Sequence, residues 1–209
     1  MKKKSMVLLL IVCVMLPTAL SAAVVDLSLG ATAQYNQTLG KIKDADSFDG
    51  MGDFKNYTLG ADLRVKLLIA EVDVVGTFGT YTDDDTSIDY TEISALTTAG
   101  VSMDLLGIAR LGFGMGPRFR VLIDDAGKAK ISAADGSGVA DWESFGDAFV
   151  QSPVAVRATV DFNLGNIMLG LNYTLDTEYT FKNAAQVDDL FSADLDDGKV
   201  GVSLLFSLF

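Results

Sequence analysis

Apolar and polar residues alternate along most of this chain. From Val25 onward the apolar positions are Val25, Leu27, Leu29, Ala31, Ala33 and Tyr35, separated by Asp26, Ser28, Gly30, Thr32 and Gln34. A side-chain period of two marks a strand with one apolar and one polar face. The run also exceeds the usual length of a globular strand, about five or six residues. A tilted strand crosses a bilayer in about 9–11 residues, and this run is long enough.

The pattern returns seven times. Tyr57, Leu59, Ala61, Leu63, Val65, Leu67 and Ile69 oppose Thr58, Gly60, Asp62, Arg64 and Lys66. Val72, Val74 and Phe78 oppose Glu71, Asp73 and Thr77, and Ile93, Ala95, Ala99, Val101 and Met103 oppose Glu92, Ser94, Thr98, Ser102 and Asp104. Ala109, Leu111, Phe113 and Met115 oppose Arg110, Gly112, Gly114 and Gly116. Val154, Val156, Ala158, Val160, Phe162 and Leu164 oppose Arg157, Thr159, Asp161 and Asn163. Ile167, Leu169, Leu171, Tyr173 and Leu175 oppose Gly170, Asn172, Thr174 and Asp176. Val200, Val202, Leu204, Phe206 and Leu208 oppose Lys199, Gly201, Ser203 and Ser207. Four apolar residues, Val75, Leu96, Met168 and Leu205, break the rule and fall on the polar side.

The connections alternate too. Tight turns are expected at 67–70, 104–107 and 164–166, and long loops at 36–56, 82–89, 117–152 and 180–198. Short turns at one end and long loops at the other are the asymmetry of an outer-membrane barrel. Pro117 and Pro153 flank the third loop, where a residue without an N–H belongs. Tyr35, Tyr57, Tyr81, Tyr90 and Tyr179, with Phe119 and Phe181, map to the long-loop ends of strands. Phe162, Phe206 and Phe209 map to the other end. Two aromatic bands are expected at the two membrane interfaces. The pattern predicts an all-β fold: an eight-stranded antiparallel up-and-down transmembrane barrel. A soluble sandwich or lipocalin-like barrel is the rival. It would turn the bulkier apolar face into an interior too small for it.

Composition supports the same picture. Hydrophobic residues make up 49% of 209 and mean hydropathy is +0.32. Yet no stretch beyond the first twenty residues is apolar for the about 20 positions that a membrane helix needs. At the N-terminus, Lys2, Lys3 and Lys4 precede the apolar run from Met6 to Leu16, then Pro17 and the small residues Ala19, Ser21, Ala22 and Ala23. Residues 1–22 therefore read as a cleaved export signal and 23–209 as the barrel domain. Cys13, the single cysteine, lies inside the apolar run behind Val12, which disfavours lipidation. Beyond the signal there is no cysteine for disulfides or thiol chemistry. There is no histidine, the commonest general base and transition-metal ligand. The net charge is −12, and −15 once the three signal lysines are removed. An acidic chain without a basic patch is a poor candidate for binding nucleic acid, and no nucleic-acid partner is expected.

The last strand runs Lys199, Val200, Gly201, Val202, Ser203, Leu204, Leu205, Phe206, Ser207, Leu208, Phe209. It resembles the C-terminal signal of outer-membrane proteins, with Lys199, Gly201, Leu204, Phe206 and Phe209 at its signature positions. That resemblance implies recognition by the barrel-assembly machinery. As a whole, residues 23–209 are similar to the small eight-stranded barrels typified by OmpX, OmpW and the membrane domain of OmpA, without a motif that selects one subfamily. The resemblance implies a place in the bacterial outer membrane, in contact with its lipid.

Candidate chemistry sits in two places. The inward face carries Asp62, Arg64, Asp73, Arg110, Arg157 and Asp161, with Asp26, Lys66, Glu71, Asp104 and Lys199 beside them. Eight strands leave a lumen that side chains can fill, so these charges are expected to pair into a polar plug. A charged lining of a narrow pore is the alternative, and inward glycines leave room for it. The second place is the third loop, too long to be a mere connector. There Asp141 is expected to cap a short helix that aligns Trp142, Phe145 and Phe149 as outer-loop binding candidates.

The remaining loops are acidic. Asp83, Asp84 and Asp85 lie in the second, and Asp188, Asp189, Asp194, Asp196 and Asp197 in the fourth. The first carries Asp44, Asp46 and Asp49, which only superficially resemble a calcium loop because Lys55 stands where the bidentate Glu belongs. No metal site, cofactor or catalytic residue is assigned. Enzymes on small outer-membrane barrels rely on histidine, and none is present. Two roles remain open: surface binding or envelope structure through the loops, and a narrow, OmpW-like, porin-like conduit for small molecules, whether polar or hydrophobic.

Overall fold

The computed structural model describes residues 25–44, 50, 52–82, 88–132, 139–141 and 144–208. Residues 1–22, expected to be an export signal, together with Asp46, Asp49, Asp83, Asp84, Asp85, Trp142 and Phe209, lie outside the described residues. Eight long strands form the wall: β1 (Val25–Thr38), β2 (Tyr57–Leu67), β3 (Ala70–Thr82), β4 (Asp89–Leu105), β5 (Ala109–Ile123), β8 (Pro153–Leu164), β9 (Ile167–Thr180) and β10 (Lys199–Ser207). Two short strands, β6 (Ala129–Ser132) and β7 (Val139–Asp141), belong to the third loop. Each wall strand pairs antiparallel with the next, β5 with β8, and β10 returns to β1. The barrel is closed, so no wall strand is left as an edge.

One row of partners shows the tilt. Asp26 on β1 pairs with Lys66, which pairs with Glu71, then Gly100, Gly114, Arg157, Thr174 and Lys199. Lys199 then meets β1 again at Thr38, at the opposite end of the strand from Asp26. A barrel whose strands tilt to its axis must stagger its register in this way. Where strands press close, only glycine fits: a Cβ on Gly100 would stand 2.0 Å from the Phe113 carbonyl oxygen.

The predicted faces are the observed ones. Asp62, Arg64, Lys66, Asp73, Arg110, Arg157 and Asp161 are buried. Leu59, Val65, Val74, Val101, Phe113, Leu171, Val202 and Phe206 are exposed on the outside. The barrel is thus apolar outside and polar inside. The four rule-breaking residues are buried within: Val75 and Leu96 pack with Ala155, and Met168 pairs with Leu205. Val75, Leu96 and Ala155 sit between two polar layers, where Val75 and Leu96 border a void together with Arg118 and Arg157.

The short turns fall where expected. Leu68 and Ile69 join β2 to β3, residues 106–108 join β4 to β5, and Gly165 and Asn166 join β8 to β9. Gly107 and Gly165 take positive φ of 71° and 76°, as hairpin turns demand. Leu68 and Leu106 also take positive φ, 59° and 55°, which is unfavourable for a side chain with a Cβ.

Strand β5 departs from expectation. It does not stop near Pro117 but runs on to Ile123. Pro117 pairs opposite Val154, and β8 begins one residue earlier at Pro153. Beyond this point β5 keeps β4 on one side and takes β6 on the other, through Val121 with Ile131. The proline stands where β5 exchanges one neighbour for another, a place where its missing N–H does least harm. At the outer end, a six-residue helix α1 (Leu39–Asp44) is tied to the fourth loop. The Leu39 N–H donates to the Gly198 carbonyl at 2.7 Å, and the Lys43 ammonium pairs with Asp196. That hydrogen bond raises the Lys43 pKa above its ordinary value.

Two tests follow from the faces and the turns. Leu111 lies on the outward alternation between exposed Phe113 and the turn, opposite Met103 and Val160. An arginine facing lipid costs about 2–4 kcal/mol at the midplane and less toward the interfaces, and Leu111 lies on the turn side of the apolar band. Leu111→Arg is expected to reduce the heat-modifiable, folded fraction on unboiled gels, whereas Leu111→Phe leaves it unchanged. Equal behaviour of the two variants would reverse inside and outside. At Leu106, which is 77% exposed, the left-handed conformation costs an ordinary L-residue about 1–2 kcal/mol, and Leu106→Asn places there a residue that adopts it more readily. Urea unfolding in detergent is expected to shift to higher midpoint, and a lower midpoint would show that the leucine is held there by favourable contacts.

Candidate functional site: the ion-paired lumen and the outer mouth

The interior is built from alternating positions of all eight wall strands. Its centre is Arg64 of β2. The Arg64 guanidinium donates through Nε and Nη2 to the two Asp62 oxygens, at 3.2 and 2.9 Å, and through Nη1 to Asp161 Oδ2 at 2.5 Å. All three side chains are fully shielded from solvent. Arg157 of β8 reaches the same Asp62 Oδ2 at 2.7 Å, and its Nε lies 3.6 Å from Asp73. The Ser203 hydroxyl of β10 is 3.0 Å from that Asp62 oxygen, and Asn172 of β9 donates to Ser203 at 3.1 Å. One carboxylate thus ties β2 to β8 and β10.

A second cluster lies toward the short turns. Arg110 of β5 donates to Asp104 at 2.9 Å and to Asp26 at 2.6 Å, and Lys66 pairs with Asp104. Glu71 Oε2 is 3.8 Å from Arg110. Glu71 and Asp73 border a void of about 10 Å³, and one oxygen on each has no protein hydrogen-bond partner. A space of that size holds about one water molecule. Every candidate lumen residue read from the alternation, Asp62, Arg64, Asp73, Arg110, Arg157 and Asp161, takes part in these two clusters.

A third cluster, nearer the long loops, was missed by the sequence reading. Arg118 of β5 donates to both Asp176 oxygens at 3.4 Å, to Gln34 at 3.1 Å and to Ser94 at 3.3 Å. Arg120 pairs with the same Asp176 and lies 3.6 Å from Glu92. Arg118 and Arg120 continue the period-two register past Pro117, and that continuation was the available signal. Between this cluster and the central one sit Val75, Leu96 and Ala155, beside a void of about 10 Å³.

Above the third cluster the barrel opens. A vestibule of about 690 Å³ is bordered by Lys41, Lys55, Lys199, Asp89, Glu92 and Tyr81, among others. Tyr81 and Tyr90 were expected in the outer aromatic girdle. The structure corrects this: they pair across β3 and β4 on the inward alternation, with ring centroids 6.4 Å apart. Tyr90 is buried and carries the Lys130 ammonium 5.6 Å above its ring. Both rings therefore serve the mouth rather than the lipid face.

The third-loop helix also differs in its start. Helix α2 spans Phe145–Gln151, and its cap is Ser144, whose hydroxyl accepts from the Asp147 N–H at 3.1 Å. Asp141, the expected cap, instead ends β7. Phe145 and Phe149 are brought together, with centroids 6.5 Å apart. Of the residues expected to form an assembly signal, Lys199 lines the vestibule, Gly201 lies close against Asn172, and Leu204 and Phe206 face outward on β10.

A closed eight-stranded barrel with an apolar exterior and an ion-paired interior is a small transmembrane β-barrel of the outer-membrane type. No family model matches the chain, and no curated protein matches it. Solved structures similar to it include Ail, the attachment invasion locus protein of Yersinia pestis, in complex with the heparin analogue sucrose octasulfate. That likeness has 16% identity over 88% of this chain and 95% of that one, with a TM-score of 0.38. Ail in a phospholipid bilayer nanodisc gives 18% identity, 88% and 99% coverage and a TM-score of 0.45. Neisserial surface protein A gives 13%, 88%, 96% and 0.35.

The central cluster can be tested by removing its cation. Arg64→Met leaves Asp62 and Asp161 buried with less compensation, and breaking such a pair costs about 3–5 kcal/mol. Unfolding in urea is expected at a clearly lower midpoint. Adding Asp62→Asn and Asp161→Asn to the same chain is expected to restore most of the loss. A triple variant no better than the single one would mean that packing, not charge, sets the penalty.

Proposed function

We propose that this chain is an integral outer-membrane protein whose barrel is a sealed mount and whose working surface is its outer end. The observation that carries this reading is the contrast along the barrel axis. Three layers of ion pairs and one apolar layer fill the interior, with voids near 10 Å³, while the outer mouth opens to about 690 Å³. A solute moving through would have to part the buried Arg64, Asp62 and Asp161 cluster. A partner at the outer end would part nothing. The surface offered there is polar, with Lys55 and Lys199 beside Asp89 and Glu92, and with the β6–β7 hairpin next to it.

Export by residues 1–22, and insertion by the barrel-assembly machinery through β10, complete this proposal. No catalytic residue, metal or cofactor is assigned. The competing role is a narrow conduit for small molecules, whether polar or hydrophobic. Purified protein in planar bilayers separates the two. The sealed mount is expected to give no steady conductance, and proteoliposomes no saturable uptake of small solutes. Uptake that responds to Arg110→Ala or Arg157→Ala, and that survives deletion of residues 126–149, would replace the surface role with transport.

A further inference from the structure

Helix α2 does not reach over the mouth. It lies against the outside of the wall, where it packs on β5 and on the 3-10 turn Phe181–Asn183 that follows β9. Its two phenylalanines join an aromatic row that runs round the exterior. Phe119 meets Phe145 at 5.3 Å, Phe145 meets Phe149 at 6.5 Å, Phe149 stacks on Phe181 at 5.6 Å, and Phe181 meets Tyr179 at 6.4 Å. Phe119 stands on the outward alternation, paired with exposed Ala95. The row therefore belongs to the face that lower down meets lipid.

Burial marks the same corner. Lower on β8 and β9 the outward residues Val160, Phe162, Leu169 and Leu171 are exposed. At the top, outward-facing Val154 and Leu175 are buried, and so is Ala148 of the helix. The helix has moved the apolar surface outward rather than hidden it: Phe145 is 66% exposed, and Phe149, Val150 and Phe181 are exposed with it. Within α2, Phe145, Ala148 and Phe149 share one side, while Asp147 and Gln151 fall on the other. An amphipathic helix with aromatic residues on its apolar face, continuous with a lipid-facing wall, has the character of an interfacial anchor.

We infer that α2 and its aromatic row are a lipid-contacting collar: the third loop folds back onto the outer leaflet and docks at the boundary between headgroups and acyl chains. Phe145 and Phe149 then serve the membrane and not a soluble ligand. The collar fixes the height of the barrel in the bilayer and holds the base of the β6–β7 hairpin beside the mouth. It depends on the transmembrane barrel alone, so it stands or falls separately from the proposal that the lumen is sealed.

The test uses cysteine-attached fluorophores in a Cys13→Ser background, at Phe149→Cys or at Phe181→Cys, with Lys128→Cys in the turn before β6 as the water-facing reference. The proteins are reconstituted into phosphatidylcholine bilayers, with and without bromine on the acyl chains near the headgroup. Labels at positions 149 and 181 are expected to lose fluorescence in brominated lipid and to resist aqueous iodide, and the label at position 128 is expected to do the reverse. Adding Phe145→Asp is expected to move the label at position 149 toward iodide while the barrel stays heat-modifiable. Iodide quenching at 149 and 181 equal to that at 128, without effect of brominated lipid, overturns the collar. Protection from both quenchers also overturns it, since another protein surface, such as a second copy of this chain, would then cover the face.

Discussion

The interior charges of this barrel can exist only as partners of one another. Its outer surface is given to lipid, so every polar side chain on the inward alternation has to find its satisfaction within a lumen eight strands wide. Asp62 shows how tightly this is done. It receives two arginines and a serine from three other positions on the wall, and all of its closest partners are buried. Such a cluster needs each strand at the right height, since a slip of one residue would carry Arg64 to the lipid face. The ion pairs therefore act on register as much as on stability. The apolar exterior selects which face looks in, and the pairs select which residue meets which.

Much of this was legible in the period of two. The outward set from Val25 to Leu208 and the inward set from Asp26 to Lys199 follow from alternation, because a strand has no other way to sort its side chains. The pairings themselves were not legible. Arg64 meets Asp161 across 97 positions in sequence, and only closure and stagger bring them together. Where sequence reasoning stopped early, a local rule was overridden by a neighbour. Pro117 ends a ladder on one side only, so β5 continued and carried Arg118 and Arg120 inward. Ser144 caps α2, and the Ser144-x-x-Asp147 spacing was the overlooked sign, because Asp147 both donates its N–H to Ser144 and accepts from its hydroxyl. Tyr81 and Tyr90 were placed by their height along the strand when their parity, shared with Gly79 and Glu92, decides the face.

The rule-breaking residues are informative for the same reason. Val75 and Leu96 pair directly across β3 and β4, and Ala155 joins them from β8. They stand between the central ion pairs and the Arg118 cluster. An apolar layer there separates two sets of charges, and each set closes on itself: Asp62, Arg64, Arg157 and Asp161 below, and Arg118, Arg120, Glu92 and Asp176 above. Exceptions to the alternation thus do structural work that a uniformly polar lumen would not.

The two ends of the barrel then differ by construction. At the short-turn end, Asp26, Lys66, Asp104 and Arg110 close the interior behind tight hairpins, two of which have exposed apolar tips, Leu68 and Ile69 in one, Leu106 and Ile108 in another. At the outer end the strands continue past the last ion-paired layer, and β5 gains the β6–β7 hairpin. Added length above a filled lumen produces a vestibule. Because the filling below is held by pairs that lipid outside and neighbouring charges inside both enforce, the loops of the outer rim can vary without disturbing the part that must fold in the membrane. That separation is what allows one small barrel to carry a surface of its own.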